Sequence, residues 1–154
     1  MLLFLALTAC PGGYAKRAAP PGKKAPGVRA PIARTDGPTG IPKVILQVGT
    51  SFEPGRLSSF CDGKKCRTGA LAPTTFLPAK HPLYFIISAA PKSAVLKVSA
   101  PGAPDAATQT ALRPGNTMVY DPGVGPGRYV VTLEASWGRR SGSWVFGVEI
   151  PKSR

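Results

Sequence analysis

The stretch GRYVVTLEASWGRRSGSWVFGVEI, residues 127–150, decides the fold because apolar side chains recur at every second position in both of its halves. The residues that share one face are Tyr129, Val131, Leu133, Ala135 and Trp137 in the first half, and Trp144, Phe146, Val148 and Ile150 in the second. A period of two with one apolar face predicts two antiparallel strands that pack one side on a core. Glycines at both ends of the segment between them, Gly138 to Gly142, predict a hairpin loop.

The rest of the chain after residue 42 contains similar short runs. Strands are predicted near 43–48, 56–60, 70–77, 83–88, 94–99 and 117–120, each bounded by Pro or Gly. The 18 Gly and 18 Pro of the 154 residues disfavour long helices. We therefore predict an all-β chain, with a single immunoglobulin-like antiparallel β-sandwich of about seven to eight strands over residues 43–154.

Tyr129 follows the turn-forming run DPGVGPG at residues 121–127. This arrangement resembles the tyrosine corner of Greek-key sandwiches, in which the phenol bonds to the backbone across a turn. We interpret it as a structural feature rather than a chemical one.

The chain begins with an apolar run, residues 2–9, that is too short to span a bilayer and fits the core of a secretory signal peptide. No basic residue precedes it. Leu7-Thr8-Ala9-Cys10 resembles the lipobox of bacterial lipoproteins. The resemblance implies that residues 1–9 are cleaved, and that Cys10 carries fatty acyl chains such as palmitate and anchors the protein on the extracytoplasmic side of a membrane. The alternatives are an ordinary signal peptide and a chance LTAC at a wrongly assigned start.

Residues 10–42 combine the candidate lipidated Cys10 with a segment rich in Pro, Gly and basic residues. The segment has few large apolar residues and no periodicity, so we predict a disordered tether. It serves either as a solvated spacer or as a basic segment that lies on anionic lipid head groups.

The charge of the chain is strongly positive, with 20 Lys and Arg against 7 Asp and Glu, a formal net charge of +13. Such an excess suits nucleic acid, an anionic lipid surface or an acidic wall polymer. A nucleic-acid-binding segment usually interleaves aromatic residues with its charges, whereas the tether contains only Tyr14. We therefore expect no nucleic-acid partner.

The closing segment also carries a family resemblance. Its order of Gly-x-Tyr, alternating aliphatic residues, Ala-x-Trp, a Gly-rich turn and an aromatic-rich strand is similar to the final hairpin of small immunoglobulin-like modules in bacterial envelope lipoproteins. The segment CDGKKC, residues 61–66, resembles the short cysteine loop of some Gram-positive lipoproteins of unknown function. The resemblance implies a fold and a location, and it implies no activity.

Cys61 and Cys66 enclose a tight Asp-Gly turn. In an exported protein such a pair is expected to form a disulfide, which would present Lys64 and Lys65 at the turn. A redox pair and a metal site are the alternatives. Four intervening residues and the absence of further ligands weigh against both, so we predict no metal and no cofactor.

No catalytic motif is recognisable in the sequence. His81 is the only histidine and has no partnered nucleophile, so it is interpreted as a turn or edge residue. We therefore predict that the protein is not an enzyme.

These observations favour a non-catalytic, lipid-anchored module of the cell envelope, with a monomeric folded domain. The candidate binding residues are Lys64, Lys65, Trp137, Arg139 and Arg140. Trp144 is in register with the apolar face and is expected in the core. Because the candidates are basic, the expected partner is an anionic envelope component or an acidic protein face. A secreted inhibitor that presents a loop to a protease, and a small hydrolase with an unrecognised site, are the alternatives.

Overall fold

The computed structural model describes residues 40–80 and 82–152. These residues form eleven strands and one three-residue 3-10 turn, Pro104–Ala106. The strands are β1 (Val44–Val48), β2 (Ser51–Pro54), β3 (Arg56–Asp62), β4 (Lys65–Thr68), β5 (Leu77–Pro78), β6 (Leu83–Ile87), β7 (Ser93–Ser99), β8 (Thr108–Leu112), β9 (Thr117–Tyr120), β10 (Gly127–Ser136) and β11 (Arg140–Ile150). The prediction of an all-β fold is confirmed.

The strands form two sheets. The first has the order β2-β1-β6-β9, and the second has the order β4-β3-β11-β10-β7-β8. All neighbours along these paths are antiparallel, and the short β5 pairs with β11 in parallel.

The topology is that of the predicted immunoglobulin-like sandwich with an insertion. Strands β1, β6 and β9 correspond to A, B and E of such a domain, and β8, β7, β10 and β11 correspond to C′, C, F and G. Strands β2, β3 and β4 are inserted between β1 and β5, and they extend both sheets beyond this frame. The insertion therefore adds a hairpin, β3–β4, to the edge next to β11.

The core lies between the inner faces of the two sheets. Phe85 of β6 and Phe146 of β11 meet edge to face with ring centroids 5.5 Å apart, which joins one sheet to the other. The predicted alternation is confirmed in β10, where Leu133 is almost completely buried between less buried neighbours. In β11, Phe146 and Trp144 are buried in the core as predicted, but every residue from 142 to 148 is buried, so this strand is covered on both faces. Burial of these large side chains against the opposite sheet drives formation of the sandwich.

The predicted tyrosine corner is present. The Tyr129 hydroxyl donates a hydrogen bond of 2.8 Å to the carbonyl oxygen of Gly125. The bond fixes the turn before β10 and so helps to set the register of the final hairpin.

Three details differ from the sequence prediction. Of residues 70–77 only Leu77 lies in a strand, the two-residue β5. Strands β2, β4 and β8 were not predicted, because SFEP, KCRT and TQTAL lack a clear alternation of large apolar residues. The final hairpin turns over Gly138, with φ +93°, whereas Gly142 lies within β11. A Cβ at Gly142 would approach the Trp144 ring to 2.6 Å and the Phe60 ring to 3.1 Å, so this glycine makes room for two aromatic rings instead of forming a turn.

Candidate binding site

The two predicted basic loops lie side by side at one end of the seven-stranded sheet. They are the turn of the β3–β4 hairpin and the turn of the β10–β11 hairpin. Since β3 pairs with β11, Asp62 lies opposite Arg140. The Gly63 N–H also donates a hydrogen bond of 3.0 Å to the carbonyl oxygen of Arg139. Two segments that are far apart in sequence therefore form one continuous surface.

The β3–β4 turn is built from local sequence. Gly63 has φ +57°, a conformation that favours glycine, and it lets the chain reverse between Asp62 and Lys65. Cys61 and Cys66 are directly opposite each other and form the disulfide that the sequence predicted. Lys64 is exposed beside this cross-link.

Two further cations that sequence reasoning missed join this surface. Arg67 follows Lys65 by two residues in β4 and shares its face. Lys92 donates its backbone N–H to the Ser136 carbonyl at 2.7 Å, and its Nζ lies beside Gly138 at the hairpin turn. The pattern of the hairpin could have revealed Arg67, whereas Lys92 is brought here by the tertiary pairing of β7 with β10. We call this surface the basic end; it comprises Lys64, Lys65, Arg67, Lys92, Arg139 and Arg140.

The positive charge of the basic end is only partly compensated within the described residues. The described residues form two ion pairs, Lys97–Glu134 at 2.7 Å and Arg128–Glu149 at 3.1 Å. Neither includes a cation of the basic end, where Asp62 is the acidic residue between the two turns. Uncompensated charges of one sign at a rigid surface attract anions, and the attraction decreases with ionic strength.

Arg139 and Arg140 differ in their surroundings. Arg139 is exposed at the turn, whereas Arg140 is partly buried. The guanidinium of Arg140 donates a hydrogen bond to the carbonyl oxygen of Gly40 and lies 5.4 Å from the centre of the Phe60 ring. Arg140 therefore holds the segment before β1 against the end of the sandwich, in addition to contributing charge.

Trp137 is also held in place. Its Nε1 donates a hydrogen bond of 3.1 Å to the carbonyl oxygen of Ala89, and its ring meets Trp144 edge to face at 6.1 Å. Trp144 is buried in the core, as the alternation of the strand predicted. The Trp pair therefore stiffens the β10–β11 turn that presents Arg139.

A small open depression of about 190 Å³ lies beside β4. It is lined by Ile41, Phe60, Asp62, Lys65 and Arg67. Its lining therefore combines two apolar side chains, two cations and one carboxylate. This composition suits a ligand group that combines an anionic head with an apolar stem.

Within residues 40–80 and 82–152, no three His, Cys, Asp or Glu side chains are grouped so as to hold a metal ion. The same part of the chain contains no helix long and apolar enough to cross a membrane. The predictions for the signal peptide (residues 1–9), for Cys10, for most of the tether and for His81 fall outside the described residues.

No protein-family model, no curated protein and no solved structure matches the chain.

Proposed function

We propose that this protein is a non-catalytic binding module of the cell envelope, anchored through acylated Cys10, that holds an anionic partner at the basic end. The observation that supports the proposal is the contact between the two basic turns, made by the Gly63 to Arg139 hydrogen bond. It combines two weak sequence signals into one surface of six cations with a single carboxylate, Asp62, between its turns.

The rigidity of the surface favours binding. The disulfide fixes the β3–β4 turn, and the hydrogen bond of Trp137 fixes the β10–β11 turn. Groups that are already ordered lose less conformational entropy when a partner binds. The basic end can therefore hold an anionic group more tightly than the same charges on a flexible segment.

The anchor supports the same role. A lipidated Cys10 followed by a long polar segment would keep the folded domain close to a membrane while leaving the basic end accessible. Intact mass of the native protein tests this part. We expect the loss of the first nine residues together with the added mass of acyl chains, and a chain that retains an unmodified Met1 would refute it.

Charge reversal tests the binding surface. The variant Lys64→Glu, Lys65→Glu, Arg139→Glu is compared with the wild type for binding to polyglutamate and to vesicles that contain an anionic lipid. The affinity should fall at least about tenfold, because each basic residue near an anionic surface contributes about 1 kcal/mol. Binding by the wild type should also weaken as salt is added.

The control variant reverses two cations at the other end of β11. Lys80 and Lys152 are exposed, and Ala79 is hydrogen-bonded to Glu149 near the carboxyl end of that strand. The variant Lys80→Glu, Lys152→Glu removes less formal charge but keeps the basic end, so its affinity should stay within about threefold of the wild type. Equal losses in the two variants would show that only net charge matters and would refute a localised site.

A further inference from the structure

The outer side of β4 is an unpaired sheet edge. In the described part of the chain β4 pairs with β3 alone, and its four residues are all exposed. An exposed edge presents backbone N–H and C=O groups that can accept another strand. The edge belongs to the same hairpin that carries the disulfide and the lysines of the basic end.

The register shows which backbone groups are free. The Gly63 N–H bonds to Arg139 of β11, so the backbone of Cys61, two residues earlier, also points toward β11. Cys61 and Cys66 consequently form a closely spaced pair without mutual backbone hydrogen bonds, which agrees with their Cα separation of 4.0 Å. The backbone groups of Cys66 and Thr68 therefore point away from β3, toward the open edge.

The two cationic side chains next to these backbone groups favour an acidic partner. Lys65 and Arg67 lie on one face of β4, and both line the depression next to Phe60. Neither forms an ion pair with any described residue. A strand added at this edge would place its own alternate side chains directly opposite these two cations.

The same charges oppose pairing between two copies of this edge. In such a dimer the cations of one β4 would face those of the other, which destabilises the pair. An acidic strand would meet opposite charges instead. Charge repulsion therefore disfavours a β4–β4 dimer, whereas charge attraction favours pairing of β4 with an acidic strand.

We propose that the basic end binds an extended acidic peptide segment, which adds to β4 as an antiparallel strand with acidic residues at alternate positions. This inference rests on the proposed function and narrows its partner to a polypeptide. The backbone of Cys66 and Thr68 would hold the added strand, and Lys65 and Arg67 would select its acidic side chains.

Position-specific N-methylation of a synthetic peptide tests the geometry. The probe is a short capped peptide in which Glu alternates with Val. With Glu opposite Lys65 and Arg67, the Val N–H groups face β4 and the Glu N–H groups face solvent. Methylating the Val nitrogens should weaken binding about tenfold or more, the effect of losing one or two hydrogen bonds. Methylating the same number of Glu nitrogens is the control and should have a much smaller effect.

Variants of the protein test the same edge. Thr68→Pro removes one outward N–H and places a ring at the edge, whereas Thr68→Ala keeps the N–H. Only the proline variant should lose affinity for the alternating peptide, and both should still bind vesicles that contain an anionic lipid as the wild type does, because a lipid surface cannot add as a strand. Thermal unfolding of each variant shows whether it is folded, and if the proline variant is not, the methylated peptides decide alone.

The outcomes separate this inference from the proposed function. Strand addition is refuted if a peptide of the same composition with its Glu residues in one block binds equally well and the position of methylation has no effect. Polyglutamate binding that depends on Lys64 and Arg139 would then still support the basic end. If neither polyglutamate nor vesicles with an anionic lipid bind in a salt-sensitive manner, the proposed function itself is refuted.

Discussion

The two hairpins that meet at the basic end have similar turn sequences but differ in burial and in their position within the sheet. Each has a turn with a positive-φ glycine and adjacent cations. The β10–β11 hairpin lies in the middle of its sheet and buries Leu133 and Phe146 on its inner face. The β3–β4 hairpin ends the sheet, and the four residues of β4 are exposed.

The difference shows how stability and binding are divided between them. Near the turn of the central hairpin, two side chains donate hydrogen bonds to backbone carbonyl oxygens, Trp137 to Ala89 and Arg140 to Gly40. The edge hairpin is cross-linked by a local disulfide, and Lys65 and Arg67 form no ion pair within the described chain, although Asp62 lies opposite Lys65 in the strand register. Changes to the buried residues of the central hairpin should therefore mainly affect folding, whereas changes to the exposed cations of either turn should mainly affect binding.

The largest effect is expected from Trp144→Ala. Truncation of this buried ring removes its contact with Trp137 and leaves a cavity, which should lower the free energy of unfolding by about 3–5 kcal/mol. Chemical denaturation measures it. Trp137→Ala, which truncates the half-buried member of the pair, is the control and should cost less. If the two variants lose the same free energy of unfolding, the Trp pair stabilises the protein mainly at the turn and not through burial of Trp144 in the core.

An intermediate effect is expected when the disulfide is removed by Cys61→Ser together with Cys66→Ser. Closure of so short a loop contributes about 2 kcal/mol to the free energy of unfolding. Amide hydrogen exchange should become faster in β3 and β4 and remain slow in β10, because the core does not depend on the cross-link. Uniformly faster exchange in both hairpins would contradict the division between them.

The smallest effect distinguishes the two neighbouring arginines. Arg140→Ala removes a hydrogen bond to Gly40 and a contact with Phe60, so it should cost about 1 kcal/mol. The buried Nε of Arg140 has no hydrogen-bond partner in the described chain, which limits the loss. Arg139→Ala, at an exposed position, should change stability by less than about 0.5 kcal/mol.

Binding of polyglutamate should rank these two arginine variants in the reverse order. Arg139 contributes its charge without a structural contact, whereas part of Arg140 is shielded by Phe60. A variant Arg139→Ala that loses stability but keeps its affinity would overturn this assignment.

The sequence was most informative where apolar side chains alternate strictly. Residues 127–150 predicted the central hairpin, its buried face and Tyr129 at the corner, because burial of one face imposes a period of two. Edge strands need no such pattern, since neither face must be fully covered. This is why KCRT of β4 and TQTAL of β8 gave no clear signal.

The candidate site was predicted only in pieces. Lys64, Lys65, Arg139 and Arg140 were singled out from two separate loops. Their union depends on the pairing of β3 with β11, and Lys92 is added by the pairing of β7 with β10. The local sequence of these segments does not indicate that β3 pairs with β11 or that β7 pairs with β10.

By itself, the sequence determined the β class, the hairpin at the carboxyl end and the tight turn that the disulfide closes, because each follows from interactions between residues close in the chain. The tertiary structure decided that an inserted hairpin lies beside β11, that six cations share one end, and that Arg140 is partly structural while Arg139 is exposed. These properties depend on long-range strand pairing. Such pairing is selected by the packing of the whole sandwich, and no local pattern specifies it.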